Sequence, residues 1–65
     1  MAQVSIIVPC KTIDDYVRRC VASLEKLPQD HEIIVIPDSI VPGFPAAKRN
    51  WGMQKATGDV FAFID

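Results

Sequence analysis

The sequence predicts an α/β fold in which helices cover both faces of a parallel sheet of three strands. Three short apolar runs alternate with two helical segments along the chain, an order typical of parallel sheets with right-handed crossovers. Polar and apolar residues do not alternate within these runs, which is usual for strands that are buried between helices on both faces of a sheet. We therefore expect a three-layer βαβαβ arrangement with the first strand in the middle of the sheet.

The first strand is predicted over residues 4–8, a β-branched run that Pro9 closes. A helix is expected next, because Thr12 is followed three residues later by Asp15, a variant of the capping box. Pro28 is expected to end this helix. Its apolar residues recur at steps of three and four and form one stripe: Ile13, Tyr16, Val17, Cys20, Val21, Leu24 and Leu27.

The second strand is predicted over residues 33–36 and is followed by a loop rich in proline and glycine. Pro45 suits the first turn of a second helix, where its missing N–H is not needed. That helix is expected to run to Thr57, with Gly58 as its C-terminal cap. A third buried strand is predicted over residues 60–64.

Composition excludes several classes of protein. The chain has 65 residues, of which 49% are hydrophobic, and a net charge of −1. These values argue against a disordered chain and against a nucleic-acid-binding protein.

Cys10 and Cys20 are too few for a disulfide scaffold, and we expect both to be reduced thiols that act as small core residues. No signal peptide or transmembrane segment is predicted, so the expected location is cytoplasmic.

The apolar share is large for so short a chain. A domain of about 60 residues buries only about 60% of the surface that its unfolded chain exposes. Three buried strands and two covering helices belong more naturally to a larger sheet. We therefore expect the isolated chain to be marginally stable and to self-associate through an exposed sheet edge.

Functional residues are expected at the carboxyl ends of the strands, because open α/β sheets bind ligands there. Asp38 follows the second strand and Asp65 follows the third; each carboxylate either binds a ligand or only caps a turn. Together they could hold a magnesium-type cation. Lys48 and Arg49 lie near the start of the second helix, where they form either a diphosphate site or a solvated basic turn.

Taken in order, the segments of the chain resemble the opening of a family 2 glycosyltransferase with the GT-A fold. The matching segments are VSIIVP (4–9), YVRRCVASL (16–24), EIIVIPD (32–38), KRNWG (48–52), ATGD (56–59) and FID (63–65). The resemblance covers nearly the whole chain. It implies that residues 1–65 form part of a Rossmann-like domain, the nucleotide-diphosphosugar-binding half of an inverting sugar transferase.

Specific roles follow from this resemblance. The nucleotide of a donor, most often a UDP-sugar, is expected to contact Pro9, Cys10, Lys11, Asp38, Arg49 and Asp65. Asp65 matches the first acid of a metal motif, which implies a divalent cation, Mg²⁺ or Mn²⁺. The catalytic base is expected beyond residue 65, so the 65-residue chain alone is expected to be inactive. The acceptor is not implied, and many relatives associate with membranes through segments outside this stretch.

Two of the chain's departures from the family pattern bear directly on the expected nucleotide site. Lys11 stands where the family usually has an aromatic residue, and the interval from Asp38 to Arg49 is shorter than in most members. An alternative hypothesis is a small non-catalytic α/β module that binds a nucleotide or a protein through its sheet edge. A third is part of some other α/β nucleotide-binding enzyme. A sugar nucleotidyltransferase would have a glycine-rich, basic loop after its first strand, which residues 9–11 do not supply.

Overall fold

The computed structural model describes residues 3–64 and confirms the predicted order of elements. The strands are β1 (Val4–Pro9), β2 (His31–Ile36) and β3 (Val60–Phe63), and the helices are α1 (Asp15–Leu24) and α2 (Pro45–Lys55). Within the described residues these strands form one parallel sheet in the order β2–β1–β3. The first strand is therefore central, as predicted.

The two faces of the sheet carry different helices, which confirms the three layers. On one face α2 lies directly on the strands: a Cβ atom added to Gly52 would come within 2.8 Å of both Ile7 and Ile36. The next residue of β1 faces the opposite side of the sheet, where Val8 and Val17 of α1 line one shared cavity. No helix in the described part of the chain is long and apolar enough to cross a membrane.

The ends of α1 differ from the prediction. The helix begins at Asp15 and not at Thr12, because the carboxylate of Asp14 accepts the N–H of Val17 at 2.9 Å and caps the first turn. At the other end the helix stops at Leu24, and the N–H of Leu27 bonds back only three residues. A proline disfavours the helical conformation of the residue before it, which accounts for this tightened turn.

The outer strands and the stripe of α1 are less buried than predicted. In β3 the side chains of Val60, Phe61 and Phe63 are 56%, 41% and 41% exposed. β3 pairs only with β1 among the described strands, so its outer edge has no neighbour there. Tyr16 of α1 is 68% exposed. Self-association through this edge stays a prediction.

Gly58 does not cap α2, contrary to the prediction. The helix ends at Lys55, and Ala56 already has extended backbone angles. Gly58 instead lies against β1, where its N–H donates to Ser5 Oγ at 2.8 Å. A Cβ atom at this position would come within 2.6 Å of the same oxygen. Glycine is therefore required here by the close approach of two chain segments.

A polar network fixes the amino-terminal end of the sheet. The hydroxyl of Ser5, a fully buried residue, donates to Glu32 Oε2 at 2.5 Å. The same oxygen accepts the N–H of Thr57 at 2.6 Å and its hydroxyl at 2.9 Å. The hydrogen bond from Ser5, followed by those from Thr57, lowers the pKa of Glu32. We call Ser5, Glu32, Thr57 and Gly58 the Glu32 network.

The lowered pKa of Glu32 predicts a pH-dependent contribution to stability. A carboxylate whose pKa is depressed by folding stabilises the fold above its unfolded value and loses that effect as the pH falls through its folded value. We expect Glu32→Gln to lower the free energy of unfolding at neutral pH, measured by urea denaturation. The difference from the unmodified chain should shrink as the pH drops below 4.5, the ordinary glutamate value.

The matched control is Glu25→Gln, since Glu25 is exposed at the end of α1. It should leave the free energy of unfolding nearly unchanged throughout the pH series. A difference between Glu32→Gln and the unmodified chain that grows on acidification would contradict the assigned role of the Glu32 network.

Candidate functional site

A cleft of about 290 Å³ lies at the carboxyl ends of β1 and β2, beside the start of α2. Its lining comprises Pro9, Cys10, Lys11, Asp38, Gly43, Phe44, Pro45 and Lys48. The structure therefore brings four of the predicted site residues to one place: Pro9, Cys10, Lys11 and Asp38. This is the edge of the sheet at which the sequence predicts ligand binding.

Backbone hydrogen bonds hold the segments after β1 and β2 side by side. The N–H of Cys10 donates to the carbonyl of Ile36 at 3.1 Å, and the N–H of Asp38 donates to the carbonyl of Lys11 at 3.1 Å. The two segments of the chain thus continue to pair beyond the last residues of β1 and β2. Asp38 is placed opposite Lys11 by this pairing.

The loop between β2 and α2 forms the other wall of the cleft. It first turns through hydrogen bonds from the N–H groups of Ile40 and Val41 to the carbonyl of Pro37, at 3.0 and 3.1 Å. Gly43 then adopts a φ of +101°, a conformation that disfavours residues with a Cβ atom. Phe44 follows in an extended conformation and precedes the first residue of α2.

Lys48 joins the two walls. Its side chain is only 3% exposed, and its Nζ lies 2.6 Å from Asp38 Oδ1 and 2.5 Å from the carbonyl oxygen of Gly43. A buried ammonium is costly unless it is paired and hydrogen-bonded, and these two acceptors satisfy that requirement. Lys48 therefore fixes the end of β2 relative to the loop that precedes α2.

The burial of Lys48 corrects the predicted solvated basic turn at this residue. An ammonium that is already bound to Asp38 and Gly43 is also poorly placed to receive a diphosphate. Lys48 lies four residues before Gly52, on the same side of the helix, and Gly52 lies against the sheet.

Asp38 remains accessible although it is paired. Its side chain is 39% exposed, and it lines the cleft. Its carboxylate holds the local structure through Lys48, while part of the side chain faces solvent, and ligand binding by Asp38 stays a prediction. A carboxylate has four lone-pair positions, so one ion pair does not exhaust its capacity as an acceptor.

The cysteines are free thiols and each is partly buried, so neither belongs to the fully buried core, contrary to the prediction. Burial, followed by the negative charge of Asp14, raises the pKa of the Cys10 thiol above its usual value. The thiol of Cys10 is therefore protonated at neutral pH. It is unsuited to act as a nucleophile, although it lines the cleft.

The remaining predicted site residues are Arg49 and Asp65. Arg49 is partly exposed and is not among the residues that line the cleft, so a role in nucleotide binding stays a prediction. Asp65 lies outside the described residues. No group of three or more His, Cys, Asp or Glu side chains within residues 3–64 is arranged to hold a metal ion. The expected cation depends on Asp65, so it stays a prediction.

Phe44 is a cleft residue that the sequence pattern did not identify. Its side chain is 85% exposed, more than any other large hydrophobic residue described. Only its local context hints at this position, since a phenylalanine between Gly43 and Pro45 belongs to neither helix nor strand. The cleft thus combines an aromatic ring, a carboxylate and two lysines.

Comparison with protein-family models, curated proteins and solved structures finds no match for this chain. The resemblance to glycosyltransferases therefore rests on the sequence segments alone. Of what that resemblance implies, the structure shows a small parallel α/β sheet with two helices.

The ion pair between Lys48 and Asp38 predicts an asymmetric response to mutation. Removing Asp38 leaves a buried ammonium with one neutral acceptor, whereas removing Lys48 leaves a carboxylate that water can reach. We expect Asp38→Ala to lower the free energy of unfolding by about 2–3 kcal/mol, less than for a fully buried pair. Lys48→Met should cost less, as measured by urea denaturation.

The controls for this pair are Asp59→Ala and Lys26→Met, because both side chains are exposed away from the cleft. Each should change the free energy of unfolding by less than about 0.5 kcal/mol. An equal or larger loss for Lys48→Met than for Asp38→Ala would show that the buried charge does not dominate the pair.

Proposed function

We propose that this chain is the nucleotide-diphosphosugar-binding part of a glycosyltransferase of the family 2 type, built on the GT-A arrangement. The observation that supports the proposal is the convergence of Pro9, Cys10, Lys11 and Asp38 in one cleft. The cleft lies at the carboxyl edge of a parallel sheet, where ligands of open α/β folds bind. The sequence resemblance implies nucleotide contacts for these same four residues.

In this proposal Asp38 recognises the base of the nucleotide. An ionised carboxylate only accepts hydrogen bonds, so it suits a ring N–H such as that of uracil. Lys48 keeps this carboxylate in place through its 2.6 Å ion pair. The backbone from Pro9 to Lys11 forms the surface against which the nucleotide lies.

The exposed side chain of Lys11 is placed to attract the diphosphate of the donor. Of the two lysines that line the cleft, Lys48 is buried and Lys11 is exposed. An exposed ammonium draws an anionic ligand toward the cleft, an effect that salt weakens. Lys11 therefore contributes charge where the family usually has an aromatic ring.

The described residues bind and orient the donor and are assigned no part in breaking its bond. In an inverting transferase a carboxylate deprotonates the acceptor hydroxyl, and no residue within 3–64 is assigned this role. A divalent cation, when bound, would offset charge on the leaving diphosphate.

A non-catalytic binding module is the second candidate. The exposed side chains of Val60, Phe61 and Phe63 favour it, since they leave an apolar edge strand that another protein could cover. This hypothesis requires no ligand in the cleft. The two functions are therefore separated by whether the cleft binds a nucleotide.

Calorimetric titration with UDP tests the proposed function. We expect weak binding to the unmodified chain and about tenfold weaker binding to Asp38→Asn, because the neutral amide oxygen accepts a weaker hydrogen bond than the carboxylate does. Asp59→Asn, a change at an exposed residue outside the cleft, should leave the affinity unchanged. Circular dichroism should show that both variants keep the fold.

Two results would contradict the proposal: no UDP binding to the unmodified chain, or equal binding by the chain and Asp38→Asn. The first would favour the binding module. Repeating the titration with Mg²⁺ and with a chelator tests the expected cation separately, because binding that is equal in both would remove the need for a metal.

A further inference from the structure

Phe44 occupies an unusual position for a large aromatic residue. Single exposed hydrophobic residues are common on protein surfaces, so its 85% exposure alone decides nothing. What sets it apart is that it lines the same cleft as Asp38 and Lys11. An exposed aromatic ring beside charged groups offers two kinds of contact to one ligand.

The backbone around Phe44 is held in place on both sides. Pro45 restricts the preceding residue to extended conformations, and Phe44 has φ −74° and ψ 156°. On the other side, the carbonyl of Gly43 accepts a hydrogen bond from the buried ammonium of Lys48. The backbone that carries the exposed ring is therefore restrained by its neighbours.

The same ammonium also binds Asp38. Because Lys48 Nζ lies 2.6 Å from Asp38 Oδ1 and 2.5 Å from the carbonyl oxygen of Gly43, the carboxylate and the residue preceding Phe44 share one anchor. The separation between the aromatic residue and the hydrogen-bond acceptor is thereby set before any ligand arrives. Such preorganisation reduces the free energy that binding costs.

We infer that Phe44 is the base-stacking residue of the cleft and that the ligand is a nucleoside diphosphate. A nucleobase has a flat face, which stacks on an aromatic ring, and a polar edge, which a carboxylate can recognise. The diphosphate complements the exposed ammonium of Lys11. This inference rests on the proposed function and adds to it the residue that holds the base.

Phe44 also supplies an aromatic ring that is missing at position 11, where this chain has Lys11. The aromatic residue usually found at that position is absent here, and Lys11 cannot stack in the same way. Phe44 lies on the opposite wall of the same cleft, in the loop between β2 and α2. The stacking surface is therefore supplied by a different element of the fold.

Calorimetric titration of Phe44 variants with UDP tests this inference. Phe44→Ala should bind UDP about 5- to 150-fold more weakly, the range found when a base loses its aromatic partner. Phe44→Leu, which keeps the apolar bulk without the ring, should be weakened nearly as much, and Phe44→Trp should retain affinity. Because the side chain is so exposed, urea denaturation should show unchanged stability.

Inorganic pyrophosphate and Phe61→Ala serve as the controls. Pyrophosphate has no base, so Phe44→Ala should not change its affinity. Phe61 is also an exposed aromatic residue, but it lies on β3 outside the lining of the cleft, and Phe61→Ala should bind UDP normally. An equal loss for Phe61→Ala and Phe44→Ala would overturn the assignment of Phe44.

The outcomes separate this inference from the proposed function. If the unmodified chain binds UDP and Phe44→Ala binds it equally well, the stacking role of Phe44 is wrong and the proposed function stands. If Phe44→Leu binds as tightly as the unmodified chain, apolar contact replaces stacking and the inference is also wrong. If the unmodified chain does not bind UDP, the proposed function fails and the inference with it.

Discussion

The candidate site depends on the two contacts of the buried Lys48 ammonium, an ion pair with Asp38 and a hydrogen bond to the carbonyl of Gly43. A charge that is 3% exposed must have partners, and its partners come from two different segments of the chain. Asp38 follows β2, and Gly43 belongs to the loop that leads into α2. Satisfying one charge therefore fixes the geometry of both walls of the cleft.

The connection that contains α2 is attached to the sheet at three levels. Lys48 holds its first turns at the carboxyl end of the strands, and Gly52 allows its middle to lie directly on Ile7 and Ile36. Beyond the helix, Thr57 and Gly58 join the Glu32 network at the amino-terminal end. A polar group at each end thus complements a tight apolar contact at the centre.

These attachments also explain why β3, exposed as it is, pairs in register with β1. Because Gly58 donates to Ser5 Oγ, the chain enters β3 at a fixed level, and Val60 is paired with Val4. Hydrophobic burial contributes less here, since three of the four residues of β3 are exposed. Polar contacts therefore set the register of the edge strand.

The strands were predictable because their signals are local. Each apolar run is ended or preceded by proline or glycine, and the alternation with helices implies the parallel order. The start of α1 was misplaced because Thr12 and Asp14 are both good caps, and only the three-dimensional structure selects between them. The burial of β3 was overestimated because an apolar run does not reveal whether the strand lies at an edge.

The candidate site was predictable only in part, for a related reason. Pro9, Cys10, Lys11 and Asp38 follow predicted strands, so topology alone brings them to one edge. Lys48 pairs with Asp38, which lies ten positions earlier in the chain, and no local pattern indicates that a charged residue becomes buried. No local pattern indicates that Phe44 lines the cleft, because the cleft forms only when the chain folds.

Hydrogen exchange in Lys48→Met tests the central claim, that Lys48 fixes both walls of the cleft. The amide of Asp38 is hydrogen-bonded at one wall, and the amides of Val41 and Ala47 are hydrogen-bonded within or just after the loop that forms the other. We expect these amides to exchange faster in Lys48→Met, while the amides of β1 keep their protection relative to global unfolding. Unchanged exchange at Asp38, Val41 and Ala47 would contradict the claim that Lys48 organises the cleft.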